Sequence, residues 1–364
     1  VIHFDIELGF PYHVLCLRRY EMAEKELKLP RGFKAQSAGE GDINHVLHLK
    51  NKVSRHYQGV EDYSLGKLRN EWETPGFSPE KSVRLVFSPR GELVGEIEVW
   101  DLSQPPVHPW LWMDVDPECK EAQALREYLL SWGEERSCQA LEKVKPGIRV
   151  SMRISAFHEN QEAAALFERE GFNLIRHFFQ MRYEMEGRPQ DPDWPEGISL
   201  RRYDPEQDAE EVYRIDDEVF SDHFGYVEEP FEEGYQRFMH HMTEQETYDP
   251  DLWFLAVEGD EIVGICLCRK WSAEDRNAGY ISSLGVRRPW RRRGIALALL
   301  RHAFVTFYER EKSKVDLGVD AENLTGAMRL YQEAGMRIHH QYDLYEKEIR
   351  PGEEISVTDL NNRS

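Results

Sequence analysis

The sequence predicts an α/β protein of two tandem domains, each a mixed sheet flanked by helices. Three observations predict it: landmarks recurring at nearly constant spacing, apolar runs whose period switches between that of strands and that of helices, and a proline-rich acidic interruption between the two sets. Glu92-Leu93-Val94-Gly95-Glu96-Ile97 matches Glu261-Ile262-Val263-Gly264-Ile265-Cys266, and the stretch from Asn160 to Gly171-Phe172 matches that from Asn323 to Gly335-Met336. Leu29-Pro30-Arg31-Gly32-Phe33-Lys34 and Trp194-Pro195-Glu196-Gly197-Ile198-Ser199 open the two halves alike. Between them, the run of prolines and carboxylates from Glu186 to Gly197 interrupts any regular element and reads as a linker. The domains are therefore placed at 27–186 and 197–350, joined by a linker at 187–196. An extension, 1–26, to which the sequence assigns no role, precedes them, and a polar tail, 351–364, follows.

Each element has a local reason. An acidic helical segment is expected at 42–50, and its counterpart at 205–219 starts on a proline, which suits a first helical turn. Residues 253–257 and 261–268 flank Glu258-Gly259-Asp260 and read as a hairpin, because glycine permits the turn. Residues 280–286 supply a strand, 294–310 an apolar-faced helix and 315–319 another strand. An Asn-started helix at 324–334 and an aromatic strand at 341–348 complete the half, in the order β–β–β–α–β–α–β, which gives a mixed sheet covered by helices.

Length and composition agree with this organisation. The 364 residues suffice for two cores, with 40% hydrophobic and 12% aromatic residues to fill them. A net charge of −21 disfavours a protein whose main task is gripping nucleic acid or an anionic membrane. No apolar stretch approaches the length of a membrane span, and the N-terminal residues lack the pattern of an export signal. The five cysteines, Cys16, Cys119, Cys138, Cys266 and Cys268, form no CxxC pair or metal-ligand spacing, so a reducing cytoplasm and no metal are expected. Cys266 and Cys268 should share one face of a strand and pack in the core.

The strongest chemical signal is Leu284-Gly285-Val286-Arg287-Arg288-Pro289-Trp290-Arg291-Arg292-Arg293-Gly294-Ile295-Ala296, a strand exit, a turn and a helix start. The first amides of a helix lack intrahelical acceptors and can receive phosphate oxygens, and Gly294 removes the Cβ that would block their approach. Arginines add positive potential, although an Arg-rich turn is often no more than an ion-paired surface. Neither the triphosphate loop GxxxxGK nor the dinucleotide fingerprint GxGxxG is present, so a different phosphate-bearing ligand is required.

Here the sequence resembles the GCN5-related N-acetyltransferase family, whose acetyl-CoA loop, Arg/Gln-x-x-Gly-x-Gly/Ala, is matched by Arg291, Gly294 and Ala296. The preceding strand with Leu284 and Val286, then Asn323, Tyr331 and Gly335-Met336, follow the family's order. The resemblance implies a mostly antiparallel twisted sheet and acetyl-CoA as co-substrate, held by Leu284, Val286, Arg291, Arg292, Arg293, Gly294, Ile295, Ala296 and Asn323. It also implies that a backbone amide near Leu284 polarises the thioester carbonyl and that Tyr331 protonates the departing thiolate. The alternative for Tyr331 is a packing residue on an amphipathic helix, and for Asn323 a helix cap. Asp216, Asp217, Glu218, Asp222 and His223 lie in the region where the family forms acceptor-facing helices, with acidic surface as their alternative reading, and Asp222-His223-Phe224-Gly225 resembles an acceptor-side segment of its two-domain members.

The first half departs from this pattern. Met113-Asp114-Val115-Asp116-Pro117-Glu118-Cys119-Lys120-Glu121-Ala122 replaces the arginine-glycine loop with carboxylates, and Phe167 stands where Tyr331 stands in the second half. A degenerate first domain, a competent second domain and one acetyl-CoA per chain follow. The leading expectation is an N-acetyltransferase acting on an amine of a small molecule or peptide, without nucleic-acid or membrane partners. A non-catalytic acyl-CoA sensor and a structural protein retaining only the duplicated fold are the alternatives.

Overall fold

The computed structural model describes residues 29–322 and 326–358. The first half runs β1 Lys34–Ser37, α1 Ile43–Gln58, α2 Leu65–Trp72, β2 Val83–Phe87, β3 Leu93–Trp100, β4 Trp110–Val115, α3 Ala122–Ser137, β5 Val150–Phe157, α4 Gln161–Arg169 and β6 Asn173–Glu184. The second repeats the series as β7 Ile198–Arg202, α5 Pro205–Phe220, α6 Phe231–Thr243, β8 Trp253–Glu258, β9 Glu261–Arg269, β10 Ala278–Val286, α7 Ile295–Glu309, β11 Lys314–Asp320, α8 Ala327–Glu333 and β12 Arg337–Arg350.

The landmarks of the sequence repeat occupy equivalent places. β2–β3 and β8–β9 are antiparallel hairpins. Gly171 and Gly335 follow α4 and α8 with φ of 87° and 95°. In each case the next amide bonds back to the helix, Phe172 N–H to Phe167 O and Met336 N–H to Tyr331 O, both at 2.9 Å. Cys266 and Cys268 are free and buried on one face of β9, their sulfurs 3.6 Å apart. The helix expected at 324–334 begins at Ala327 among the described residues, and Asn323 lies outside them.

The twelve strands form one sheet in the order β1-β2-β3-β4-β5-β12-β6-β11-β10-β9-β8-β7. The last strand of each half is exchanged: β12 pairs with β5 and β6 with β11, both antiparallel, and the exchanged strands pair with each other. The cores follow the sheet rather than the chain. Met181 packs with Leu299, Phe304 and Tyr331, whereas Tyr345 packs with Leu125, Ile154 and Phe167. α7 lays Ile295, Leu299, Phe304 and Phe307 against the second core at helical spacing.

Two parallel pairings open into notches. β10 and β11 are in register only from Ala278↔Lys314 to Ile281↔Leu317, although β10 continues to Val286 and β11 to Asp320. β4 and β5 pair only at Trp110↔Arg153 and Leu111↔Ile154 before they separate. A bulge between Ile281 and Ser283 bends β10 where the second notch begins.

Candidate active site

The turn from β10 into α7 has the shape the sequence implies. Arg292 and Gly294 take φ of 65° and 87°, which curls the chain so that the first amides of α7 stand at the mouth of the turn. Gly294 is exposed, and an added Cβ would meet only Pro195, 4.0 Å away. The arginines divide their tasks in a way that spacing alone did not reveal. Arg291 is a strut: its guanidinium donates to Val286 O at 3.0 Å, Val219 O at 3.4 Å and Asp222 Oδ2 at 2.9 Å, tying the strand end to the end of α5. Burial alone would raise Asp222, but the hydrogen bond and charge of Arg291 hold its carboxyl below the usual range. Arg293 pairs with Glu258 at 2.8 Å, and Arg287 with Glu218 and Glu261, both at 2.9 Å. Arg292 is exposed and has no ion-pair partner among the described residues. Positive charge at the turn is therefore largely neutralised, and the groups left free to meet an anion are the first amides of α7 and Arg292.

The notch opens into a cavity of 1490 Å³ lined by both halves, among them Leu284, Tyr331, His223, Trp112 and Phe167. This exceeds the usual span of about 300–1,000 Å³ for a single small-ligand pocket, so it has room for two reactants. Tyr331 is 8% exposed, and burial, followed by the nearby Cys266 thiol, pushes its phenol well above the ordinary value. It is thus protonated at neutral pH. Phe167, its counterpart on α4, presents no hydroxyl. At the other notch the turn carries Asp116 and Glu118, both held by Lys52 at 2.9 and 2.7 Å.

The acceptor-side candidates separate. His223 lines the cavity, and burial lowers its imidazole, leaving it neutral at pH 7 despite Asp222 and Asp320 nearby. Asp217 instead accepts the Tyr226 hydroxyl at 3.1 Å, and Glu218 is the partner of Arg287, so neither carboxylate faces the cavity. Phe224 does, wedged between the guanidinium groups of Arg153 and Arg176, with centroid distances of 4.8 and 4.4 Å. The tail expected to be merely polar clamps this loop: Gly225 N–H bonds to Val357 O at 2.7 Å and Val357 N–H to Tyr226 O at 2.9 Å. One of the acidic residues of this region is set apart by its surroundings. Asp216, on α5, accepts the Ser283 hydroxyl of β10, and burial pushes its carboxyl up to about 6. Only the helical register that turns it inward distinguishes it from the acidic residues around it.

A parallel pair that splays beside the start of a helix, repeated along one sheet and entered through a glycine in the second half, defines a tandem acetyltransferase fold. Residues 209–336 match the Acetyltransferase (GNAT) family. A GCN5-related N-acetyltransferase from Sphaerobacter thermophilus is 34% identical, and its crystal structure superposes with a TM-score of 0.75 over 91% of this chain and 100% of that one. The chain belongs to the GCN5-related N-acetyltransferase family. The mycothiol acetyltransferase of Actinosynnema mirum is 28% identical over 186 residues, which cover 50% of this chain and 59% of that protein. A tandem GNAT protein from the clavulanic acid biosynthesis pathway, 13% identical with a TM-score of 0.63, covers 88% of this chain and 100% of that one and shares the fold. Among the described residues no helix is long and apolar enough to cross a membrane.

Proposed function

We propose that the chain is an N-acetyltransferase that moves an acetyl group from acetyl-CoA directly to an amine of a small molecule or peptide. The observation that carries this reading is the convergence, in one cavity, of the strand edge freed at Leu284, the protonated phenol of Tyr331 and the neutral imidazole of His223. Acetyl-CoA supplies the thioester. The amides of Gly294, Ile295 and Ala296, with Arg292, would receive its pyrophosphate, and Leu284 and Val286 border its pantetheine. Leu284 would polarise the carbonyl through its backbone amide. As the amine attacks, a C–N bond forms and the C–S bond breaks; His223 takes the proton lost by nitrogen and Tyr331 gives one to sulfur. The carboxylates of the first-half turn repel a second pyrophosphate, so one acetyl-CoA per chain is expected. Release of free thiol from acetyl-CoA in the presence of an amine panel tests the reaction. Saturable acetyl-CoA binding without thiol release from any amine would favour the sensor instead.

A further inference from the structure

Beside the same cavity, which Glu274 lines, stands a second cluster with no part in the proposed acetyl transfer. His339 and His340 are consecutive in β12, and consecutive strand residues ordinarily point to opposite faces. Here the register shifts between Ile338, opposite Met181, and His340, opposite Gln180, leaving His339 as the extra residue of a bulge. The two imidazoles consequently lie side by side, with ring centroids 4.0 Å apart. Glu274, from the loop between β9 and β10, reaches across to them. One ligand atom from each of Glu274, His339 and His340 lies within 4.8 Å of the other two. Glu274 Oε2 and His340 Nε2 are 3.5 Å apart, long for a hydrogen bond but close to the spacing of about 3.3 Å between two donors sharing a tetrahedral zinc ion.

We propose that Glu274, His339 and His340 form a binding site for a divalent metal ion of the zinc class. Two imidazoles and one carboxylate are a donor set that late first-row metals accept, with a coordination position left over. The surroundings suit a cation. Arg182, whose charge acts on both Glu274 and His339, is neutralised by Asp316 through two hydrogen bonds of 2.7 Å, and Lys314 is paired with Asp275 at 2.8 Å. His339 is exposed and gives the ion an entry path, while Glu274 lines the cavity. This site stands independently of the acetyl-transfer reading.

The full chain, stripped with a chelator and dialysed, is titrated with ZnCl2 by calorimetry and with Co2+ by visible absorption. One equivalent of each metal is expected to bind, with d–d bands whose intensity marks fewer than six ligands. His340→Ala and Glu274→Gln should each weaken zinc binding at least tenfold while the near-UV circular dichroism is preserved. His45→Ala, which removes an exposed histidine of α1, should not. Absence of saturable binding, or equal affinity in the wild type and both site variants, would overturn the site. Neither readout depends on transferase activity.

Discussion

At the scale of single residues, Tyr331 and Gly294 carry the sharpest tests. Tyr331→Phe keeps the ring that packs against the second core and removes only the hydroxyl, which makes no hydrogen bond among the described residues whose loss would cost stability. With a confirmed amine, kcat should fall about 100-fold, the low end for general acid catalysis, while KM for acetyl-CoA stays within about threefold. Unchanged kcat would leave the phenol a packing residue. Gly294→Glu places a carboxylate among the amides of α7 at a backbone φ of 87° that side chains resist. Acetyl-CoA affinity should drop below calorimetric detection while thermal unfolding remains cooperative; equal affinity would move the pyrophosphate elsewhere. The residues proposed for the pyrophosphate could be singled out in the sequence because they occupy adjacent positions around one turn. Their division of labour could not be read there, since Arg291 and Arg292 are neighbours of one type and only Asp222, 2.9 Å from Arg291, decides which becomes a strut. His339 and His340 escaped notice for a related reason: without the bulge, adjacency in a strand argues against shared ligation.

Between elements, the contact of α5 with β10 gives a pH signature. Burial pushes the Asp216 carboxyl up to about 6, with the Ser283 hydrogen bond pulling the other way. Its folded value lies above its unfolded one, so protonation favours the folded state. That contribution is whole below about pH 4 and is lost as the pH rises through about 6. Asp216→Asn retains an acceptor for Ser283 without a charge to bury. Its stability should therefore exceed the wild type's at pH 7.5 and approach it at pH 4.5, the difference changing by up to about 3 kcal/mol for a two-unit shift. Urea unfolding at the two pH values measures this, and titrating groups distant from Asp216 cancel between the proteins. A difference independent of pH would mean that Asp216 stays ionised throughout. The elements themselves were mostly readable, because the hairpin at Gly259 and the strand expected at 280–286 declare themselves in a few residues. The separation of β10 from β11 leaves no such trace. Both strands run on past Ile281 and Leu317, where their pairing stops, as Ser282-Ser283-Leu284-Gly285-Val286 and Gly318-Val319-Asp320, and no proline in either stretch marks the parting.

For the whole molecule, the consequential feature is the exchange of β6 and β12. A strand carries the same alternation whichever half it completes, so repetition in the sequence revealed two halves but not which last strand each one owns. Ion pairs reinforce the exchange. Arg182 of β6 meets the fully buried Asp316 of β11, and Arg153 of β5 meets Glu346 of β12 at 3.0 Å. Removing one partner of such a pair costs about 3–5 kcal/mol, because the other charge stays buried alone. Neither half can then be expected to stand by itself. A chain beginning at Gly197 would lack β6, exposing the edge of β11 from Lys314 to Asp320 and opening the core where Met181 sits. It should express as an aggregating fragment without a cooperative unfolding transition. A protease site inserted between Gln190 and Asp191, both exposed, severs the linker without touching a strand. After cleavage the two pieces should co-elute in gel filtration at the mass of the intact chain and part only in denaturant. Two independently folded domains on a tether would separate on cutting, each with its own unfolding transition, and that outcome would refute the exchanged sheet.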